Sequence, residues 1–414
     1  MSIKGTITFP GDKSLSHRAL IFAAMSNGES QILNLSNGDD VISTRKCLEH
    51  CGIEIFDKEH VIHVRGGKFS DPTMDLNCGN SGTTTRLLLG LLAGKGINAT
   101  FVGDQSLSSR PMNRILEPLT KMGLKSKSND GKLPITISKS NLNGISHRLL
   151  IASAQIKSAI LLAGIGANGE TSTTETIMSR DHTEIMLKEL GATLSTKNLT
   201  NTISKSTISS LINFNVPGDP STSSFFSTAA MLIPESSIII DNILLNPTRI
   251  GFYKIIHKMG ANIVYLNERT HWGEKIGGLK IVSSKLHSIN ISKNEVPGLI
   301  DELPLIALLA TQANGTTEVR GAKELRFKEC DRIKAICQNL SNMDANIKEL
   351  DDGFIIKGPT PLKATKIKTY NDHRIAMTFA IAGLISNRNI ELDNPDCVSI
   401  SYPEFYQQLA RLKK

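Results

Sequence analysis

Leu187-Lys188-Glu189-Leu190-Gly191-Ala192-Thr193-Leu194 decides how this chain folds. Its leucines close an amphipathic helix, the glycine supplies the left-handed residue that ends it, and the alternation after it starts a strand. The same device stands at Leu48…Gly52-Ile53-Glu54-Ile55, at Leu119…Gly123-Leu124 and at Ile256…Gly260-Ala261-Asn262-Ile263. Leu340…Asp344-Ala345-Asn346-Ile347 repeats it with Asp in the place of Gly, and residues 409–413 form a sixth copy. The anchoring apolar residues stand 71, 68, 69, 84 and 69 positions apart, a register that chance does not produce.

Each copy also carries a helix of another kind. Residues 19–25, 87–93, 159–163, 225–232, 303–310 and 375–384 are apolar nearly all round and rich in small side chains. A helix of that composition is buried on every side. Short strands, such as 31–35, 100–102, 238–240 and 317–319, lie between the two helices of a copy. Six βαβ-type units with one buried helix each predict an α/β fold whose sheets wrap around helices.

Polar residues gather where these helices begin. Gly11-Asp12-Lys13-Ser14-Leu15-Ser16-His17-Arg18 joins a strand to the first buried helix. Such a start leaves backbone N–H groups unpaired and adds the positive end of the helix dipole, so it suits phosphate or carboxylate. Equivalent starts hold Asn80/Gly82/Thr83/Arg86, Ser153/Gln155/Lys157, Asp219/Ser221, Asp301 and Asp372/His373/Arg374. The amphipathic helices open near Asp39/Asp40, Arg110, Ser179/Arg180/His182, Asn246/Arg249, Lys328/Glu329/Arg332 and Ser401. Three repeats fill residues 11–216, and the last three pack with the first strand, giving a second domain of residues 1–10 and 217–414. Two such domains, hinged near Pro10-Gly11 and Pro217-Gly218, would share a cleft lined by helix N-termini and cations, a site for two polyanions.

Composition narrows the function further. The 414 residues are 40% hydrophobic, 21% charged and 5% aromatic, with a net charge of +8. Lys413-Lys414 is the longest basic run and aromatics are sparse, so small anions explain the surplus better than nucleic acid. Met1-Ser2-Ile3-Lys4 lacks a signal-peptide core, and the apolar runs fall short of the ~20 residues that span a bilayer. The six cysteines form no C-x-x-C pair, which predicts reduced thiols in a cytoplasmic protein. His182 and His373 have no metal-ligand spacing around them, and no metal or cofactor is expected. Gly164-Ile165-Gly166-Ala167-Asn168-Gly169 ends a helix rather than following a strand, so it is not a dinucleotide loop. Lys328 and Arg332, four apart, are expected on one helical face with Glu329 beside them. Glu329 and Asp301 are the main acids expected among the cations, as proton transfer requires.

Taken together, the octet at 11–18, Asn80-Ser81-Gly82-Thr83-Thr84-Thr85-Arg86, Arg110-Pro111-Met112, Ser153-Ala154-Gln155-Ile156-Lys157, Arg326-Phe327-Lys328-Glu329-Cys330-Asp331-Arg332 and Asn371-Asp372-His373-Arg374 form an ordered set. The set resembles the 5-enolpyruvylshikimate-3-phosphate synthase family. The resemblance implies two domains of three βαβαββ repeats with buried parallel helices, an inside-out α/β barrel. It also implies transfer of the enolpyruvyl group of phosphoenolpyruvate to the 5-hydroxyl of shikimate 3-phosphate, by a monomer without cofactor. Lys13, Gly82, Arg110, Gln155, Arg332, His373 and Arg374 would hold phosphoenolpyruvate. Lys13, Ser14, Arg18, Ser153, Gln155, Arg180, Asp301 and Lys328 would hold shikimate 3-phosphate. Lys13, Asp301 and Glu329 would be catalytic.

Two features set the chain apart from one branch of that family. Val398-Ser399-Ile400-Ser401-Tyr402-Pro403 lacks the Lys found there, and Glu324-Leu325-Arg326 replaces an Asn and Trp before the Arg. Arg180-Asp181-His182-Thr183-Glu184 and Asn246-Pro247-Thr248-Arg249 resemble the second branch, whose members tend to tolerate glyphosate. UDP-N-acetylglucosamine enolpyruvyl transferase shares fold and donor and is the alternative. Its catalytic-loop Cys would fall within 106–110, where this chain has none.

Overall fold

The computed structural model describes residues 1–386 and 390–414. The chain begins with β1 (Lys4–Ile7), α1 (Lys13–Met25), β2 (Gly28–Leu33), α2 (Asp39–His50), β3 (Glu54–Lys58) and β4 (Val61–Gly66). It continues through β5 (Leu76–Asn77), α3 (Gly82–Lys95), β6 (Ala99–Val102), α4 (Gln105–Ser109), α5 (Asn113–Lys121), β7 (Lys125–Asn129) and β8 (Lys132–Ser138). The order recurs as β9 (Ser146–Arg148), α6 (Ala154–Gly164), β10 (Thr171–Thr174), α7 (His182–Glu189), β11 (Leu194–Lys197) and β12 (Thr200–Ile203). Next come β13 (Phe214–Asn215), α8 (Pro220–Leu232), β14 (Ser237–Leu244), α9 (Gly251–Lys258), β15 (Asn262–His271) and β16 (Glu274–Val282). A fifth copy holds β17 (Asn290–Ile291), α10 (Leu303–Gln312), β18 (Gly315–Val319), α11 (Arg332–Asn342), β19 (Asn346–Leu350) and β20 (Gly353–Gly358). The last comprises β21 (Lys366–Ile367), α12 (His373–Ile385), β22 (Glu391–Leu392) and α13 (Phe405–Leu412).

These elements form two compact units, one of residues 11–216 with 272–274, the other of residues 1–10, 217–271 and 275–414. In the first, the sheets run β13-β2-β4-β3, β5-β6-β8-β7 and β9-β10-β12-β11. In the second they run β1-β14-β16-β15, β17-β18-β20-β19 and β21-β22. Every four-stranded sheet starts with a parallel pair and continues with an antiparallel one. Two sheets take their first strand from elsewhere in the chain. β1 leads into α1 but pairs with β14, Ile7 opposite Ile240, and β13 leads into α8 but pairs with β2, Phe214 opposite Ile32.

Helix stops and starts follow from local chemistry. Gly52, Gly123, Gly191 and Gly260 have φ of +86°, +107°, +82° and +92°, and Asp344 takes the same role at +64°. Side chains that accept from the first-turn N–H groups cap five of the six buried helices: Asp12 for α1, Ser81 for α3, Ser153 for α6, Asp219 for α8 and Asp372 for α12. Within the first unit α3 packs on α6 so closely that a Cβ on Gly90 would lie 2.1 Å from the Ala159 carbonyl oxygen. In the second, α8, α10 and α12 pack on one another, with Phe226 against Phe9, Tyr402 and Phe405. The starts of these helices therefore rest on buried, closely packed supports.

Candidate active site

In the unit of residues 11–216, side chains tie the starts of α1, α2, α3 and α6 together. Lys13, the first residue of α1, pairs at 2.9 Å with Asp40 in the first turn of α2. His17 Nδ1 lies 2.7 Å from Thr44 Oγ1, which lies 2.6 Å from Thr84 Oγ1 of α3. Arg18, buried, donates Nε to Thr183 Oγ1 at 2.7 Å, Nη1 to the Ser14 carbonyl at 2.9 Å and Nη2 to Ser158 Oγ at 2.9 Å. Arg180 Nη1 reaches Ser14 Oγ at 3.4 Å. Gln155 of α6 accepts from Arg86 Nη1 at 2.6 Å and donates to Thr83 Oγ1 at 2.8 Å, while Ser153 caps the same helix. Arg110 donates Nη2 to Asn80 Oδ1 at 2.7 Å and to Ser106 Oγ at 3.2 Å. A methyl on Gly82 would meet Arg86 Nη1 at 2.7 Å and Arg110 Nη1 at 3.4 Å, so two guanidinium groups lie beside that bare backbone.

The second unit gathers its own cluster. Asp301, just before α10, has Lys328 Nζ at 3.7 Å, Arg332 Nη1 at 3.5 Å and Arg374 Nη2 at 3.7 Å from its carboxylate. Arg332, 1% exposed, donates Nε to Asp372 Oδ2 at 2.8 Å and Nη2 to Glu329 Oε2 at 2.5 Å. Burial works to lower the Arg332 pKa, but Asp372, Glu329 and Asp301 outweigh it and hold the guanidinium above its ordinary value. Burial likewise works to raise Asp372, but the charge and hydrogen bond of Arg332, with His373, together hold that carboxyl below the usual range. His373 is the buried first residue of α12. Arg249 pairs with the α8 cap Asp219 at 2.9 Å, and Ser221 donates to Glu302.

The sequence reading needs three corrections here. Lys328 and Arg332 do not share a helical face: Lys328 is extended, and α11 starts only at Arg332 because Asp331 caps it through the Lys334 N–H. Lys328 still reaches Asp301, through the loop rather than through helix geometry. Asp301 and Glu329 are not the main acids, since Asp40, Asp219 and Asp372 each pair with a cation. Lys157 does not stand with the polar residues at the helix start; it is buried with Glu175 and Glu184. Arg86 and Asn80, which join Gln155 and Arg110, were visible in the Asn-Ser-Gly-Thr motif but had no assigned partner.

Charge has consequences for pH. Burial, then Lys13 and Arg18, hold the His17 pKa well below the usual 6.5. The folded state thus keeps the ring neutral while the unfolded chain binds a proton from about pH 6.5 downward. The unfolded state holds more protons in that window, so stability falls as pH drops below 6.5. We expect His17→Gln to flatten the denaturation free energy between pH 6.5 and 5, removing a slope of up to ~1.4 kcal/mol per pH unit. An unchanged slope in the variant places the acid sensitivity elsewhere.

Helix N-termini and buried arginines, with carboxylates set among them, define a class: an enzyme for small phosphorylated and carboxylated substrates. The comparisons agree. The model of the EPSP synthase (3-phosphoshikimate 1-carboxyvinyltransferase) family matches residues 1–409. The 3-phosphoshikimate 1-carboxyvinyltransferase of Oceanobacillus iheyensis is 43% identical, the match covering 100% of this chain and 97% of that one. A solved structure of EPSP synthase from Acinetobacter baumannii superposes with a TM-score of 0.88 at 36% identity, covering 99% of this chain and 96% of the other. The enolpyruvyl transferase NikO from Streptomyces tendae shares the fold, with a TM-score of 0.78 at 16% identity over 99% and 95% of the two chains. The chain belongs to the EPSP synthase family, enolpyruvyl transferases of the shikimate pathway. UDP-N-acetylglucosamine enolpyruvyl transfer is not favoured. Among the described residues no helix is long and apolar enough to cross a membrane.

Proposed function

We propose that the two polar clusters serve one reaction, with the roles that follow. Lys13, Gly82, Arg110, Gln155, Arg332, His373 and Arg374 hold phosphoenolpyruvate. Lys13, Ser14, Arg18, Ser153, Gln155, Arg180, Asp301 and Lys328 hold shikimate 3-phosphate. The 5-hydroxyl of the acceptor adds to C2 of phosphoenolpyruvate while C3 takes a proton, giving a tetrahedral adduct. Loss of a C3 proton then expels phosphate and leaves the enolpyruvyl ether. Asp301 takes the hydroxyl proton; Lys13 and Glu329 deliver and remove the proton at C3. The protein works as a cytoplasmic monomer on these two small molecules, without nucleic acid, membrane or cofactor, and belongs to the second, glyphosate-tolerant-like branch.

One observation carries this reading: the Asp301 carboxylate stands within 3.7 Å of Lys328, Arg332 and Arg374. Cations that bind the substrates' phosphate and carboxylate groups surround a base that can reach a neighbouring hydroxyl. Bringing several negative charges together is costly in water, and fixed cations in a buried site offset that cost without reorganising. Phosphate release from phosphoenolpyruvate tests the proposal. We expect release with shikimate 3-phosphate and none with UDP-N-acetylglucosamine; the opposite result rejects it.

A further inference from the structure

An ion cluster that the reaction does not use lies within the unit of residues 11–216. Lys157 of α6, 1% exposed, places Nζ 2.7 Å from Glu175 Oε2 and 2.7 Å from Glu184 Oε1. Burial works to discharge the ammonium, but Glu184 and Glu175 outweigh it and hold its pKa above the ordinary value. Ion sets buried this deeply add little stability over apolar side chains of the same size, so their geometry is the more informative property.

Here the geometry pins a loop. Glu175 precedes it and Glu184 lies in the first turn of α7, so one ammonium holds both ends of residues 175–184. The other oxygen of Glu175 accepts from the Ser179 hydroxyl and, at 3.2 Å, from the Ser179 N–H. The next residue is Arg180, whose Nη1 reaches Ser14 Oγ. His182 Nδ1 is 2.6 Å from Glu274, a separate hold on the start of α7. Removing the ammonium would leave two buried carboxyl groups without their shared cation. Burial already raises Glu184, which then takes up a proton, and Glu175, no longer held by Nζ, would loosen its grip on Ser179 while α7 stayed anchored.

We propose that Lys157 is a positioning residue for the acceptor's phosphate, acting through Glu175 and Ser179 to fix Arg180. The proposal rests on the assignment of Arg180 to shikimate 3-phosphate. Its test is steady-state kinetics and thermal melting of Lys157→Met and Ser179→Ala, each alone and combined with Arg180→Ala. Ser179→Ala leaves the three ions in place, so it carries the test if Lys157→Met does not fold. The expected result is a rise in the shikimate 3-phosphate KM of about tenfold for Lys157→Met and about threefold for Ser179→Ala. Tenfold is ~1.4 kcal/mol, the size of one charge-assisted hydrogen bond. The phosphoenolpyruvate KM and kcat should stay within about twofold, and neither substitution should raise the acceptor KM further once Arg180 is Ala. Equal effects on both KM values, or full effects in the Arg180→Ala background, overturn the proposal and leave the role of Arg180 standing. An Arg180→Ala enzyme with an unchanged acceptor KM overturns the assignment of Arg180 itself.

Discussion

Lys13→Met should lower turnover at least ~100-fold and leave the fold intact. The substitution keeps the length of the side chain and removes the one charge assigned to both substrates and to the proton at C3. Loss of a group that acts on the transition state costs two or more orders of magnitude in rate. The melting temperature should fall all the same. The Lys13 side chain is 19% exposed but that of its partner Asp40 only 9%, so the substitution leaves a nearly buried carboxylate without its cation. Turnover with saturating substrates, beside a thermal melt, decides the matter. Near-normal turnover would remove Lys13 from the chemistry and leave it a partner of Asp40.

Asp301→Asn is the second large effect. The amide matches the carboxylate in shape, and Arg374 Nη1 donates to the Asp301 backbone carbonyl at 3.3 Å, a contact that the substitution leaves in place. The turn before α10 should therefore hold. What disappears is the proposed base, a role worth roughly 10²–10⁴ in rate. A negative charge also leaves the company of Lys328, Arg332 and Arg374. Those cations then attract an anionic donor more strongly, so the phosphoenolpyruvate KM should hold or fall while kcat drops. A raised KM with normal kcat would make Asp301 a counterion only.

Much of this architecture was legible because it rests on short-range signals. The Leu-x-x-x-Gly stops mark positions where the backbone must turn left-handed, and Asp344 could be read as their equal because Asp tolerates that conformation. All-round apolar composition identified the buried helices for the same local reason. Pairings across the sequence were not legible. Arg332 finds Asp372 forty residues on and Lys13 finds Asp40 twenty-seven on, and neither spacing leaves a periodic trace. The Lys328–Arg332 spacing misled because four residues can be one helical turn or an extended approach to a cap, and Asp331 selects the second. Lys157 misled because its neighbours in sequence are polar, whereas the carboxylates paired with it come from the residue after β10 and from α7.

The partner of β1 sets a clock on the making of this protein. Ile3 donates its N–H to Ser236 Oγ across 233 positions, and Lys4 to Ile7 lie beside Ser237 to Ile240. At ~5–20 residues per second, the ribosome needs roughly 12–47 s to synthesise that partner. Throughout that interval Ile3, Ile7 and Phe9, each almost wholly buried in the finished structure, have no native place to go. All of residues 11–216 is synthesised in the meantime, with every strand of its own sheets in hand. β1 thus leaves the ribosome before β2 to β13 and is seated only after all of them have been made, so at that edge the order of synthesis differs from the order of assembly.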